Sequence, residues 1–153
     1  MKKLVARTAF GLVALSLAAT AGAQEKPEDL IKYRKAGYSF ISWNMGKIKG
    51  NLEGTYNKDQ VVAAANAIAG IANSGMGALY APGTEKDVGD QKTRVKPEFF
   101  TDKDGVAKVA IAFNQAANNM AKVAAEGDAG AVKAAFGELG KTCKACHDDY
   151  RAK

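Results

Sequence analysis

Apolar residues recur at helical spacing along this chain in four stretches, separated by turns and by one long polar connection. The first stretch covers residues 27–49. Pro27 suits the opening position of a helix, and Glu28 and Asp29 complement the positive end of its dipole. At about 100° per residue, Leu30, Ile31, Gly37, Tyr38, Ile41, Met45, Ile48 and Leu52 fall on one side, a stripe wide enough to face a core. Tyr33, Phe40 and Trp43 fall on a different side. A helix apolar on two faces calls for two partners.

The second stretch covers residues 58–79. Asn57 can cap it, and Gln60 stands where a capping box needs it. Val61, Ala65, Ile68, Ala72 and Leu79 keep the spacing, Gly75 and Gly77 weaken the last turn, and Pro82-Gly83 ends it. Residues 80–102 form a connection rich in Gly, Pro and charge, with one helical turn expected at Pro97-Glu98-Phe99-Phe100. A link of this length in a small helical domain is either functional or an overhand crossing. The third stretch, residues 104–126, aligns Val106, Val109, Phe113, Ala117, Met120 and Val123. Gly127-Asp128 breaks it, and Asp128 can cap the fourth, where Val132, Phe136, Leu139, Cys143, Cys146 and Tyr150 alternate four and three apart. Frequent alanine and short β-branched runs favour helix over strand. The pattern predicts an all-α fold, an antiparallel four-helix bundle.

Residues 1–23 stand apart. Lys2, Lys3 and Arg7 precede an apolar run over residues 9–19, and Ala21-Gly22-Ala23 has the small-x-small form of a signal-peptidase site. The run falls short of the ~20 residues a bilayer span needs, so a secretory signal peptide is expected rather than an anchor. The domain proper is then residues 24–153. With 153 residues, 47% hydrophobic and 25% charged, the composition is that of one ordinary globular domain. Removing Lys2, Lys3 and Arg7 takes the formal net charge of +6 down by three. No Lys/Arg cluster remains to suggest nucleic acid.

Export makes the two cysteines informative. Cys143 and Cys146 are three apart, and His147, the single histidine, follows at once. Cys143-Lys144-Ala145-Cys146-His147 is the attachment pattern of c-type haem. Thiols one helical turn apart can each form a thioether with one porphyrin, and the adjacent imidazole can ligate iron. Three other uses of these residues stand beside that one. A thioredoxin-like dithiol belongs at a helix start after a strand; a structural zinc site needs four ligands where three soft ones exist; a plain disulfide leaves His147 without a role.

Residues 143–153, CKACHDDYRAK, closely resemble the C-terminus of the cytochrome c prime family, the high-spin class II c-type cytochromes. Residues 26–34, KPEDLIKYR, are similar to that family's first helix, and PGTE at 82–85 with VKPE at 95–98 to its long loop. The motif's place near the C-terminus fits as well, since class I cytochromes carry theirs near the N-terminus. The resemblance implies one haem c per chain on Cys143 and Cys146, held between helices of the bundle. It implies His147 as the single axial ligand, with an empty iron face covered by apolar residues. It further implies a periplasmic homodimer, binding of nitric oxide and carbon monoxide, and single-electron transfer to an unidentified redox partner.

Carried over residue by residue, the family's distal position falls on Tyr38 and its proximal arginine on Arg151. Arg34 and Lys35 match positions near the haem propionates, and Thr84 and Glu85 a loop pair bordering the haem. Gly77 departs from the family, which often has tryptophan there, so the distal pocket is expected to be roomier or differently filled. The alternative is a low-spin electron carrier in which Met45, seven residues after Tyr38, is the sixth ligand; a methionine on an apolar stripe also fills core gaps. An enzyme such as a peroxidase would need distal acid–base groups. With no second histidine, none is expected.

Overall fold

The structure, a computed structural model, describes residues 25–153. The expected signal peptide lies outside the described residues. Five α-helices follow in order: α1 Pro27–Glu53, α2 Lys58–Ala72, the single turn α3 Glu98–Thr101, α4 Lys103–Glu126 and α5 Ala129–Tyr150. The described residues contain no β-strand beyond two isolated bridges. The four long helices form the bundle.

Capping follows the sequence closely. Asn57 accepts from the Gln60 amide at 3.0 Å, and Asp128 from the Ala131 amide at 2.8 Å. The capping box forms only in half. Asn51 accepts from the Asn57 amide at 2.8 Å and donates to Gln60 Oε1 at 3.2 Å, so a buried asparagine of α1 takes the contact Gln60 would have made. α1 also runs one turn past residue 49, to Glu53, where Gly54 closes it.

The second stretch is shorter than expected. α2 stops at Ala72, because Ser74 Oγ donates back to the Ile71 carbonyl and Gly75 adopts a left-handed φ of 83°. Leu79 instead ends a 3₁₀ turn, Met76–Leu79. That turn sits against α1 at Gly37, where a Cβ would come 2.8 Å from the Met76 methyl. α4 begins at Lys103, one position before the expected start, and Asp102 caps it by accepting from the Gly105 amide at 3.0 Å.

Four-residue and two-residue links join α1 to α2 and α4 to α5, which makes each pair antiparallel. α1 packs on α2, α2 on α4 and α4 on α5, while α1 and α5 barely touch. Alanines carry much of the contact: Ala64, Ala65, Ala72, Ala117, Ala124 and Ala135 are buried and let the helices approach closely. From α1 the shared core takes Ile41 and Ile48, in its C-terminal half; from α5 it takes Val132, Ala135 and Leu139, in the N-terminal half. At the opposite end this core stops, and Tyr38 of α1 stands across a seam from Cys143 and Cys146 of α5.

Candidate functional site

Cys143 and Cys146 lie in the C-terminal half of α5, on the stripe that begins with buried Val132 and Leu139 and ends with buried Tyr150. Where that stripe is filled by Val and Leu, it meets the core; where it carries the thiols, it meets the seam. Both thiols are free and half-buried, and burial raises the pKa of each. His147 follows on an exposed flank of the same turn, with Arg151 Nη1 3.4 Å from its Nδ1. Nδ1 therefore faces Arg151, leaving Nε2 for another partner.

Across the seam stands Tyr38. It is 41% exposed, so its place on the apolar stripe does not take it fully into the core. Tyr38 and Tyr80 lie close enough to influence each other's ionisation, and both lie within electrostatic reach of Cys146. Burial, the largest cause, raises the pKa of each tyrosine. Met45, by contrast, packs against the bundle core.

Arg34 is 4% exposed, and its guanidinium lies within the protein. Its Nη1 donates to Thr84 Oγ1 at 2.9 Å, and its Nη2 to the Thr84 carbonyl at 2.7 Å and to Thr93 Oγ1 at 2.6 Å. The guanidinium also lies 4.7 Å from the Tyr80 ring centre. These partners are neutral, and burial lowers the arginine's pKa. Thr84 is fully buried, Glu85 accepts from the Gly83 amide at 2.7 Å, and exposed Lys35 reaches Gln91 Oε1 at 3.4 Å. The structure thus gathers Arg34, Tyr38 and Thr84 with the thiols at one end of the bundle, and places Lys35 and Glu85 on its rim.

Sequence reasoning missed the strap that holds the end of α5. Lys96 Nζ donates to the carbonyls of Asp148 and Asp149 at 3.0 and 2.9 Å, satisfying helix-terminal acceptors with a cation. The Lys96 amide donates to the Tyr150 carbonyl and the Ala152 amide to the Arg94 carbonyl, with Val95 bridging to Arg151. Phe99 stacks on Tyr80 at 4.2 Å and meets Tyr150 edge-on at 5.7 Å. The turn at 97–100 was legible, and it falls at Glu98–Thr101. Its partners, Tyr80 and Tyr150, lie on other elements, beyond any periodicity.

Among the described residues no group of three His, Cys, Asp or Glu is gathered closely enough to hold a metal ion. Two half-buried thiols one turn apart, on the side of α5 that carries its core residues, fit a group bonded through both sulfurs. The family profile described as Cytochrome C' matches residues 29–151. The cytochrome c' of Allochromatium vinosum is 62% identical over 154 residues, covering 100% of both chains. The chain belongs to the cytochrome c' family. Its cofactor is haem c, joined through thioethers to Cys143 and Cys146. The cytochrome c' of Rhodocyclus tenuis is 59% identical, over 84% of this chain and 97% of that one. A solved cytochrome c' with an unusual ligand-controlled dimer dissociation is 64% identical, covers 86% of this chain and 100% of its own, and superposes with a TM-score of 0.84. The structure from Thermochromatium tepidum gives 60%, 86%, 100% and 0.83 in the same order. These neighbours share the four-helix bundle.

Proposed function

We propose that the protein is a periplasmic high-spin cytochrome that binds small neutral gases and passes single electrons, not an enzyme. When bound, the haem supplies a one-electron iron couple and a vacant coordination position. His147 would hold the iron through Nε2, with Arg151 beside its Nδ1. Arg34 is a buried cation among neutral oxygens, and such a charge is stabilised by an anionic partner. A propionate at the seam would supply one, with Thr84 steadying the guanidinium and Lys35 and Glu85 on the rim.

Tyr38 would lie beside the cofactor, where its ring can obstruct an incoming ligand. Its raised pKa keeps the phenol neutral at pH 7, so it acts as a ring in the way rather than as an anionic ligand. Carbon monoxide and nitric oxide suffer least from that obstruction; bulky or anionic ligands meet both steric and desolvation costs. Gly77 has open space beside it, since a Cβ there would meet nothing within 4 Å. The observation that carries the reading is the facing of Tyr38 and both thiols across the seam, with Met45 packed away in the core. The ferric absorption spectrum tests it: five-coordinate high-spin iron is expected, and a six-coordinate low-spin spectrum that disappears in Met45→Leu would replace it with the methionine-ligated carrier.

The exposed aromatic face of α1 supports a homodimer. Tyr33, Phe40 and Trp43 are about half exposed or more, with Trp43 at 57%, and the last two stack at 5.3 Å. The relative with ligand-controlled dissociation supports the same assembly. The residue 1–23 pattern supports export, and no described helix is long and apolar enough to cross a membrane.

A further inference from the structure

Tyr150 has a contact that gas binding does not use. Its ring is 6% exposed, and its hydroxyl donates to Asp102 Oδ2 at 2.6 Å. The Asp102 carboxylate is itself fixed by the Gly105 amide and is exposed to water. Gly105 makes the pairing possible, because a Cβ there would collide with both the carboxylate and the Tyr150 hydroxyl. Tyr150 lies one helical turn beyond Cys146, within electrostatic reach of that sulfur, and Phe99 joins it edge-on to Tyr80. A phenol so placed has a haem-attachment cysteine one turn away, a proton acceptor in contact, and water beyond it.

We propose that Tyr150 is a one-electron donor to the haem centre when that centre is oxidised by a peroxide, with Asp102 taking the phenolic proton. Hydrogen peroxide accepts two electrons and two protons and becomes two waters. One electron comes from the haem group and one from Tyr150. The Tyr150 O–H bond breaks, and its proton passes to Asp102 Oδ2 and on to solvent; the second proton comes from solvent. An oxidised phenol is a far stronger acid than a neutral one, so the carboxylate accepts the proton although hydrogen bonding holds its own pKa low. The event consumes one tyrosine equivalent per chain and protects the porphyrin from carrying the second oxidising equivalent. It rests on the attached haem and is independent of gas binding.

Freeze-quenched electron paramagnetic resonance of the ferric holoprotein mixed with hydrogen peroxide tests this, with haem load checked by intact mass. A tyrosyl signal is expected, narrowed when the protein is grown on ring-deuterated tyrosine. It should be lost in Tyr150→Phe, which keeps the ring on Phe99, and reduced in Asp102→Asn, which still caps α4. Tyr80→Phe should keep it. Absence of a radical in the wild type, or its survival in Tyr150→Phe, overturns the proposal. Failure of carbon monoxide to bind would instead refute the gas-binding reading and leave this one standing.

Discussion

Replacing Arg34 by methionine should loosen the long connection and lower the stability of the whole bundle. The three short bonds join a charged donor to neutral oxygens of Thr84 and Thr93. At ~1.5–3 kcal/mol each their gross value is about 4–9 kcal/mol. Burying a guanidinium costs several kcal/mol and offsets much of that. Methionine refills the volume of the stem without a charge, and Thr84 Oγ1 keeps its own bond to the Ala81 carbonyl at 2.8 Å. The Thr84 carbonyl does lose its guanidinium donor in a fully buried position. An orphaned buried acceptor of that kind costs roughly 1–3 kcal/mol, and the loosened loop adds to it, so the net loss is about 2–3 kcal/mol. For a domain of this size that is a Tm lowered by roughly 6–12 °C. Urea unfolding of the haem-loaded protein, followed by helical circular dichroism, measures the loss, and hydrogen exchange at the Thr84 amide localises it. Arg34→Lys, which keeps the charge without the fork, should fall between. A methionine variant within roughly 0.5 kcal/mol of wild type would show that the clamp does not hold the loop.

Tyr38→Ala should speed carbon monoxide association by about ten-fold, equivalent to ~1.4 kcal/mol of steric barrier removed; an unchanged stopped-flow rate would move the gate to Tyr80 and Phe99. Trp43→Glu should weaken dimerisation by about ten-fold or more in sedimentation equilibrium, since a central aromatic anchor is lost; a wild type already monomeric at micromolar concentration would dispose of this face as an interface. The phenol–carboxylate pair gives two pH signatures. Tyr150 is raised to about 12 by its bond to Asp102, so its contribution is complete below the ordinary tyrosine range and is lost as pH climbs through about 12. The wild-type minus Tyr150→Phe absorbance difference should therefore titrate near 12. Asp102 is lowered by the same bond and by the Gly105 amide, so its contribution holds above the usual carboxylate range and is lost as pH falls below it. Asp102→Asn should flatten that acid limb.

Periodicity was enough for the four helices, because an apolar stripe and a capping residue are local and each lies within one turn of what it specifies. Pro27, Asn57 and Asp128 act where the chain places them. The haem attachment point was equally legible, since Cys143, Cys146 and His147 share one turn and need no distant partner to be recognised. Tertiary structure decided which end of the stripe is core and which is seam. Val132, Leu139, Cys143 and Cys146 are equivalent by helical angle, and only the assembly of the bundle puts the first two into one core with Ile41 and Ile48 and the last two near Tyr38. It also decided that Arg34 clasps Thr84 and Thr93 across fifty or more residues, and that Asp102 meets Tyr150 across forty-eight. Such pairs carry no period, because the chain between them is closed by packing rather than by local geometry. The sequence therefore determines the helices and the sulfur chemistry, while the surroundings of the cofactor come into being only when the helices pack.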